Sequence, residues 1–543
     1  MTHRRFAIVA VAIVFRLFLT VEVSAQQSRE IEAKVDKIFE KWTSNTPGCT
    51  VGVTVAGKPV LSKAYGMADL EHDVENNPDT TFEAGSVSKQ FTAAAVLLLM
   101  RDGKLSLDDP VRKYIPEVPD YGAPLTIRHM LTHTSGLRDW GSVAGIAGWP
   151  RTTRVHTHAH VLEIVGKQTA LNFPSGTRYS YSNTGYNLAA VLVSRVSGMS
   201  FSEFTKKRIF EPLGMTHTAW RDDFTRIVKG RAIAYEDARD GFHTDMPFEN
   251  VYGNGGLLTT VGDLLKWNQN FVSPEVGDAA TVQLQQTPGK FTDGRAHGYA
   301  LGLMVGEYKG LRQVDHSGST AGYRAHLARY PDQNLSVAVL CNVTSGAATN
   351  YARAVADLYL GSSVKESGPP PAKHTLTADE ISAAAGLYRN KSTGEALTIS
   401  VNNGVLRAGN TALVPTSATT FVTANRQTWE IAPGAVRMTD QYGTTDSYEK
   451  APAAKLTAED MRQYVGTYVS EDAETTLRVA VEGQSLVVKR RPDTTLRLTP
   501  IYADAFSGLG TVIFRRDASG RLTELSVVQD RVWDMRFKKI VGN

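Results

Sequence analysis

Apolar residues in this chain fall into two rhythms, and the change from one to the other divides it. Cys49 to Val55 alternates apolar and small polar positions, and Val60 to Ala64 follows across Gly57-Lys58-Pro59, a pattern that predicts two strands joined by a tight turn. The run Phe91-Thr92-Ala93-Ala94-Ala95-Val96-Leu97-Leu98-Leu99-Met100 is apolar nearly all round and predicts a buried helix. Helical spacing continues in Val161-Leu162-Glu163-Ile164-Val165 and Leu188-Ala189-Ala190-Val191-Leu192-Val193, and strand patterns return at Gly298 to Val305 and Leu335 to Leu340. Terminal strands around helical insertions read as one α+β unit ending near Leu360.

Beyond the stiff run Gly368-Pro369-Pro370-Pro371 the chain repeats itself. Leu376-Thr377-Ala378-Asp379-Glu380 recurs as Leu456-Thr457-Ala458-Glu459-Asp460, and Gly386-Leu387-Tyr388 as Gly466-Thr467-Tyr468. Leu397, Ile399, Val401 and Leu406 match Leu477, Val479, Val481 and Leu486, all at an offset of 80 residues. The period-two alternation predicts two tandem antiparallel barrels or curled sheets. The expected division is a signal segment at 1–25, a catalytic domain at 26–365, a linker at 366–375, and barrel-like repeats at 376–455 and 456–543.

Composition changes this picture little. With 42% hydrophobic and 21% charged residues, 543 residues suffice for several domains with cores, and a formal charge of +4 gives no nucleic acid a reason to bind. Arg4 and Arg5, an apolar stretch from Phe6 to Thr20 interrupted by Arg16, and Val23-Ser24-Ala25 read as a secretory signal. The expected location is therefore periplasmic or secreted. No segment is long enough to cross a bilayer, and no cysteine before Cys49 offers a lipoprotein anchor. In an oxidising compartment Cys49 and Cys341, each in a predicted strand, have two open fates: a disulfide or two buried thiols. The alternating His156, His158 and His160 run into a helical pattern with no matching carboxylates, so neither a metal nor a cofactor is assigned.

Chemistry concentrates in three short stretches. Ser86-Val87-Ser88-Lys89 opens the apolar helix, where residues three apart project about 60° from one another and so share a face. A desolvated Lys89 is expected to titrate low enough for its neutral amine to take the Ser86 proton. Gly85 permits a tight approach to the helix, and the N–H of Ser86 is placed to stabilise an oxyanion. Tyr181-Ser182-Asn183 sits at a loop-to-helix junction, where Tyr181 beside an ammonium group is expected to reach its phenolate form and act as base and then acid. Asn183 can donate to and accept from an amide. His316-Ser317-Gly318-Ser319 precedes a strand, and its small residues let an edge approach a substrate backbone, with the Ser319 N–H as second oxyanion donor and His316 orienting the substrate.

The order Ser-x-x-Lys, Tyr-x-Asn, His-x-Gly resembles the penicillin-recognising serine hydrolases: class C β-lactamases, D,D-peptidases, D-aminopeptidases and related esterases. Thr132-His133-Thr134-Ser135-Gly136-Leu137 and Gly253-Asn254-Gly255-Gly256-Leu257 are similar to the same group. The resemblance spans roughly residues 30 to 360. It implies a β-lactamase/transpeptidase-like catalytic domain, with Ser86 as nucleophile, Lys89 and Tyr181 as proton-transfer pair, and an acyl-enzyme on amide or ester bonds of small peptides, D-amino-acid derivatives or esters. A β-lactamase or D,D-carboxypeptidase, and a non-catalytic sensor, are the alternatives. His316 stands where the related signature has lysine, and a neutral imidazole holds a substrate carboxylate less well. A catalytic domain with two barrels resembles the D-aminopeptidase architecture, in which a loop of the final barrel enters the cleft. The basic turn Lys489-Arg490-Arg491-Pro492-Asp493 is expected to be that loop.

Overall fold

The structure, a computed structural model, describes residues 26, 28–150, 154–364, 374–423 and 427–540; the expected signal and the proline run of the linker lie outside them. The catalytic domain is built on six antiparallel strands. They are β1 (Cys49–Val55), β2 (Lys58–Tyr65), β3 (Met304–Tyr308), β4 (Leu311–Thr320), β5 (Tyr323–Tyr330) and β6 (Leu335–Cys341), in the order β3-β4-β5-β6-β1-β2. The first strand of the chain thus pairs with the last of the sheet, as the α+β pattern requires.

One face of the sheet is covered by α1 (residues 28–39) and α5 (Ala348–Leu360) through a core containing Val35, Phe39, Val51, Val53, Val337 and Val355. On the other face lie α2 (Lys89–Arg101), α3 (Asn183–Ser197) and α4 (Val261–Asn270). Gly52 permits that contact, because a Cβ there would sit 2.8 Å from Leu265 Cδ1 of α4. Every residue of α2 from Lys89 to Leu99 is buried, so the all-round apolar run is a central helix.

The strand expected at Gly298 to Val305 begins only at Met304. Residues 298–303 turn instead, with the N–H of Ala300 donating to Leu303 O, and Gly302 packs against the first turn of α2, where a Cβ would lie 2.6 Å from Lys89 O. The departure from strand geometry brings Tyr299 into the catalytic cleft. Cys49 and Cys341 face each other in the β1–β6 ladder and form a disulfide, which resolves their fate.

Both repeats fold as antiparallel β domains. The second closes into an eight-stranded barrel running from Gly466–Ser470 to Val532–Ile540. The first forms a nine-stranded sheet among the described residues; its two edge strands, Thr411–Ala412 and Val414–Pro415, are separated only by Leu413, so the sheet curls almost onto itself. The offset of 80 is visible in atomic detail. Capping boxes join Thr377 with Glu380 and Thr457 with Asp460, and the hydroxyls of Tyr388 and Tyr468 donate to the carbonyls of Ala384 and Tyr464.

The barrels dock on the catalytic domain through polar contacts. Arg138, itself buried, donates to Asp472 of the second barrel at 2.7 Å. Arg178 pairs with Asp446 of the first, and Tyr442 stacks on Tyr179 at 4.2 Å between centroids. The basic turn does not enter the cleft. Arg490 donates to the carbonyls of Gly145 and Ile146 and Arg491 to that of Ala147, so their guanidinium groups satisfy the C-terminal carbonyls of the helix Trp140–Ile146. Lys489 pairs with Glu482 on the exposed surface of the barrel.

Candidate active site

Ser86 lies in a short 3-10 turn, Gly85–Ser88, that runs directly into α2. In 3-10 geometry residues three apart eclipse, which aligns Ser86 with Lys89 more closely than an α-helix would. Lys89 Nζ is 3.0 Å from Ser86 Oγ, 3.0 Å from Asn183 Oδ1 and 2.7 Å from the carbonyl of Asn254. The amide and carbonyl oxygens can only accept, so of these three contacts Ser86 alone is able to give Lys89 a proton.

The turn is held from below. Ser88 Oγ donates to Gly85 O at 2.6 Å and accepts from the N–H of Leu257, while the buried Glu83 accepts from the N–H of Gly256 and from Arg221. These bonds fix the 253–257 segment and with it the Asn254 carbonyl. The glycine-rich run there is legible only as part of the family resemblance, and no pattern in it signals that a main-chain oxygen meets Lys89.

Gly85 has φ +50°, and a Cβ on it would lie 2.6 Å from the N–H nitrogen of Ser319. A Cβ on Gly318 would lie 2.0 Å from Ala84 O and 3.1 Å from Ser86 N. Both glycines are needed for β4 to lie against the Ser86 turn, which brings the backbone nitrogens of Ser86 and Ser319 to one end of the cleft. Two N–H groups brought together in this way are what an oxyanion site requires.

Tyr181 packs on His133 at 4.1 Å, with Lys89 Nζ 4.8 Å from its ring centroid. His133, at φ +57°, accepts the N–H of Ser182 on Nδ1, and Asp139 accepts the N–H of Asn183 at 2.8 Å. Burial raises the Tyr181 pKa, opposed by its hydrogen bond with Ser86 and the charge of Arg531. The resting side chain is therefore a phenol, and burial opposes the access to the phenolate form that a neighbouring ammonium favours.

His316 is buried, and burial with the nearby Lys89 charge pushes its pKa down to about 3. Its Nδ1 lies 2.6 Å from Ser317 O and its Nε2 2.9 Å from the Tyr299 hydroxyl. A neutral ring donates from Nδ1 and accepts at Nε2 from Tyr299. The third stretch therefore supplies no cation.

The cleft encloses about 570 Å³. Ser86, Tyr181, Asn183, His316, Gly318 and Ser319 all line it, and Lys89 reaches Ser86 from behind. Its remaining walls were not legible in advance: Tyr299 from the turn that replaced a strand, Tyr442 from the first repeat and Arg531 from the second. His156, His158 and His160 are dispersed to separate tasks, packing on Trp140, bonding to Tyr252 O and capping a helix.

A serine beside a lysine on a central helix, a tyrosine at the next helix junction and a strand edge against both define the penicillin-recognising serine hydrolase group, and the chain belongs to the Beta-lactamase family, which it matches over residues 30–360. It is 26% identical over 469 residues to a D-aminopeptidase of Gluconobacter oxydans (strain 621H), covering 83% of this chain and 85% of that protein. With penicillin-binding protein 4* of Bacillus subtilis (strain 168) it shares 27% over 322 residues, 56% of this chain and 70% of the relative. Among solved structures, the octameric penicillin-binding protein homologue from Pyrococcus abyssi aligns with a TM-score of 0.55 at 25% identity, over 78% of this chain and all of that one.

Proposed function

We propose that this protein is a serine amide hydrolase that works through an acyl-enzyme on small peptides or D-amino-acid derivatives. The observation that carries the reading is the 3.0 Å contact between Ser86 Oγ and Lys89 Nζ, beside contacts of Nζ to Asn183 Oδ1 and the Asn254 carbonyl, which can only accept. Lys89 takes the Ser86 proton as Oγ bonds to the substrate carbonyl carbon. The N–H groups of Ser86 and Ser319 hold the oxyanion, and Tyr181 as a phenol gives its proton to the departing amine; water then attacks the ester carbonyl, its proton passing to the Tyr181 phenolate while Lys89 returns the first proton to Ser86 Oγ. Asn183 holds Lys89 and faces the substrate from the same wall, and His316 with Tyr299 forms its uncharged counterpart.

D-aminopeptidase relatives whose alignment extends past the catalytic domain support amide bonds over β-lactams. The disulfide supports a periplasmic or secreted location. Intact-mass detection of a serine-directed acylating probe tests the mechanism: one adduct is expected on the native protein and none on Ser86→Ala. Equal labelling of both would remove it.

A further inference from the structure

Arg531 sits in the turn between the barrel strands Leu522–Gln529 and Val532–Ile540, far in sequence from the catalytic domain, yet its guanidinium carbon lies 5.0 Å from the Tyr181 ring centroid. The backbone beneath it is fixed. Arg531 O accepts from the N–H of Asp139 and from Asn172 Nδ2, and Asn172 Oδ1 accepts from the N–H of Trp533. Asp139 also accepts the N–H of Asn183, which touches Lys89, so one short chain of bonds registers the turn to the nucleophile.

The charge of the cleft is one-sided. Arg324 and Arg531 are the only lining residues of fixed charge among those described, and no carboxylate lines it. Arg324 spends its Nη1 on the carbonyls of Ala321 and Tyr323. Besides the Tyr181 ring, the ion-pair partner of Arg531 among the described residues is the solvent-exposed carboxylate of Asp530, 3.6 Å from Nε. An exposed pair of this kind is weak, so the fork of Arg531 remains available to a ligand.

We propose that Arg531 of the second barrel is a specificity-determining residue that anchors a carboxylate of the substrate and disfavours substrates with a free ammonium group. This rests on the serine hydrolase reading above and adds to it a substrate class. A planar guanidinium matches a carboxylate in a two-pronged bond. An aminopeptidase, by contrast, must accommodate an ammonium group, for which this cleft offers no counter-charge. The cation missing from the third stretch is thus supplied from another domain.

Phenylboronic acids test the assignment without a known substrate, because boron bonds reversibly to an active serine. Unsubstituted, carboxy- and aminomethyl-phenylboronic acids, with the substituent meta or para, would compete with the acylating probe for Ser86. The native protein should bind a carboxy compound most tightly and the aminomethyl compounds least. Arg531→Gln should shrink the carboxy advantage about 10- to 100-fold, the weight of a charged hydrogen bond. Arg531→Glu should reverse the order, and Arg531→Lys should restore part of it. The anchoring bonds use the main chain, so these variants retain them, and a native melting profile would verify that.

An unchanged order of binding in Arg531→Gln and Arg531→Glu, or no carboxy preference in the native protein, would overturn the assignment while leaving the hydrolase intact. Absence of both labelling and boronate protection would overturn the hydrolase reading itself, and this inference with it.

Discussion

Replacing Gly318 by alanine tests the contact on which the oxyanion site depends. A methyl group there would lie 2.0 Å from Ala84 O and 3.1 Å from Ser86 N, and carbon–oxygen contacts below 3.0 Å are not tolerated. The strand and the nucleophile turn must therefore part by about 1 Å. Such a displacement carries the Ser319 N–H away from a carbonyl held by Ser86, and losing one such donor costs about 10²- to 10³-fold in kcat. Overpacking of this kind costs about 1–3 kcal/mol of stability. Steady-state hydrolysis of a small chromogenic ester, with thermal unfolding in parallel, would separate the two effects. Gly306→Ala on the neighbouring β3, where a Cβ meets open space, is the control and should leave both unchanged. A folded Gly318→Ala enzyme retaining more than a third of native kcat would refute the claim that this approach builds the oxyanion site.

Three further outcomes follow from the same geometry. Lys89→Ala and Tyr181→Phe should each lower kcat by about 10²- to 10⁴-fold, read in single-turnover acylation, and an effect below tenfold would dismiss that residue as a proton carrier. Buried His316 and His297 have pKa values depressed to about 3 and 4, so their neutral forms stabilise the fold above 6.5 and that contribution fades as pH falls, by up to about 1.4 kcal/mol per unit each. Asp315, raised to about 7, works in the opposite sense, so denaturant midpoints should fall between pH 6.5 and 4 by less than the histidines alone would give. Replacing Cys49 and Cys341 by serine, which opens a loop of 292 residues, should cost about 2–4 kcal/mol in equilibrium unfolding, and no change would mean that the bond adds nothing to the ladder it joins.

Residues whose chemistry depends on near neighbours were legible in the sequence. Ser86 and Lys89 are three apart on one turn, and the apolar run after them admits little but a central helix. The centre of the sheet was legible because β1 alternates apolar with small or polar positions and β6 is a short, almost wholly apolar run. What escaped depends on distant packing. The period of Gly298 to Val305 suits a strand, but Gly302 presses on Lys89 O and the backbone turns. The ammonium beside Tyr181 was legible, but not the burial that raises its pKa, which only the packing against His133 shows. Charge density pointed to Lys489, Arg490 and Arg491, yet helix carbonyls at Gly145 to Ala147 claim the two arginines. Arg531 is a single cation in an ordinary hairpin, and only the docking of the barrel gives it a role.

The hairpin that carries Tyr442, between Ala435–Thr439 and Thr445–Lys450, is the final hairpin of the first repeat, and the one that carries Arg531 is the final hairpin of the second. Gene duplication would then have delivered two copies of one protruding turn, and the catalytic domain is gripped by both. Each copy is free to drift, because surface turns accept new side chains at little cost to the sheets beneath them. A lineage could exchange one substrate for another by altering these tips while the serine, the lysine and the core that holds them stay under unchanged selection. The tandem repeat would serve such a lineage as a pair of interchangeable fingers on a fixed palm.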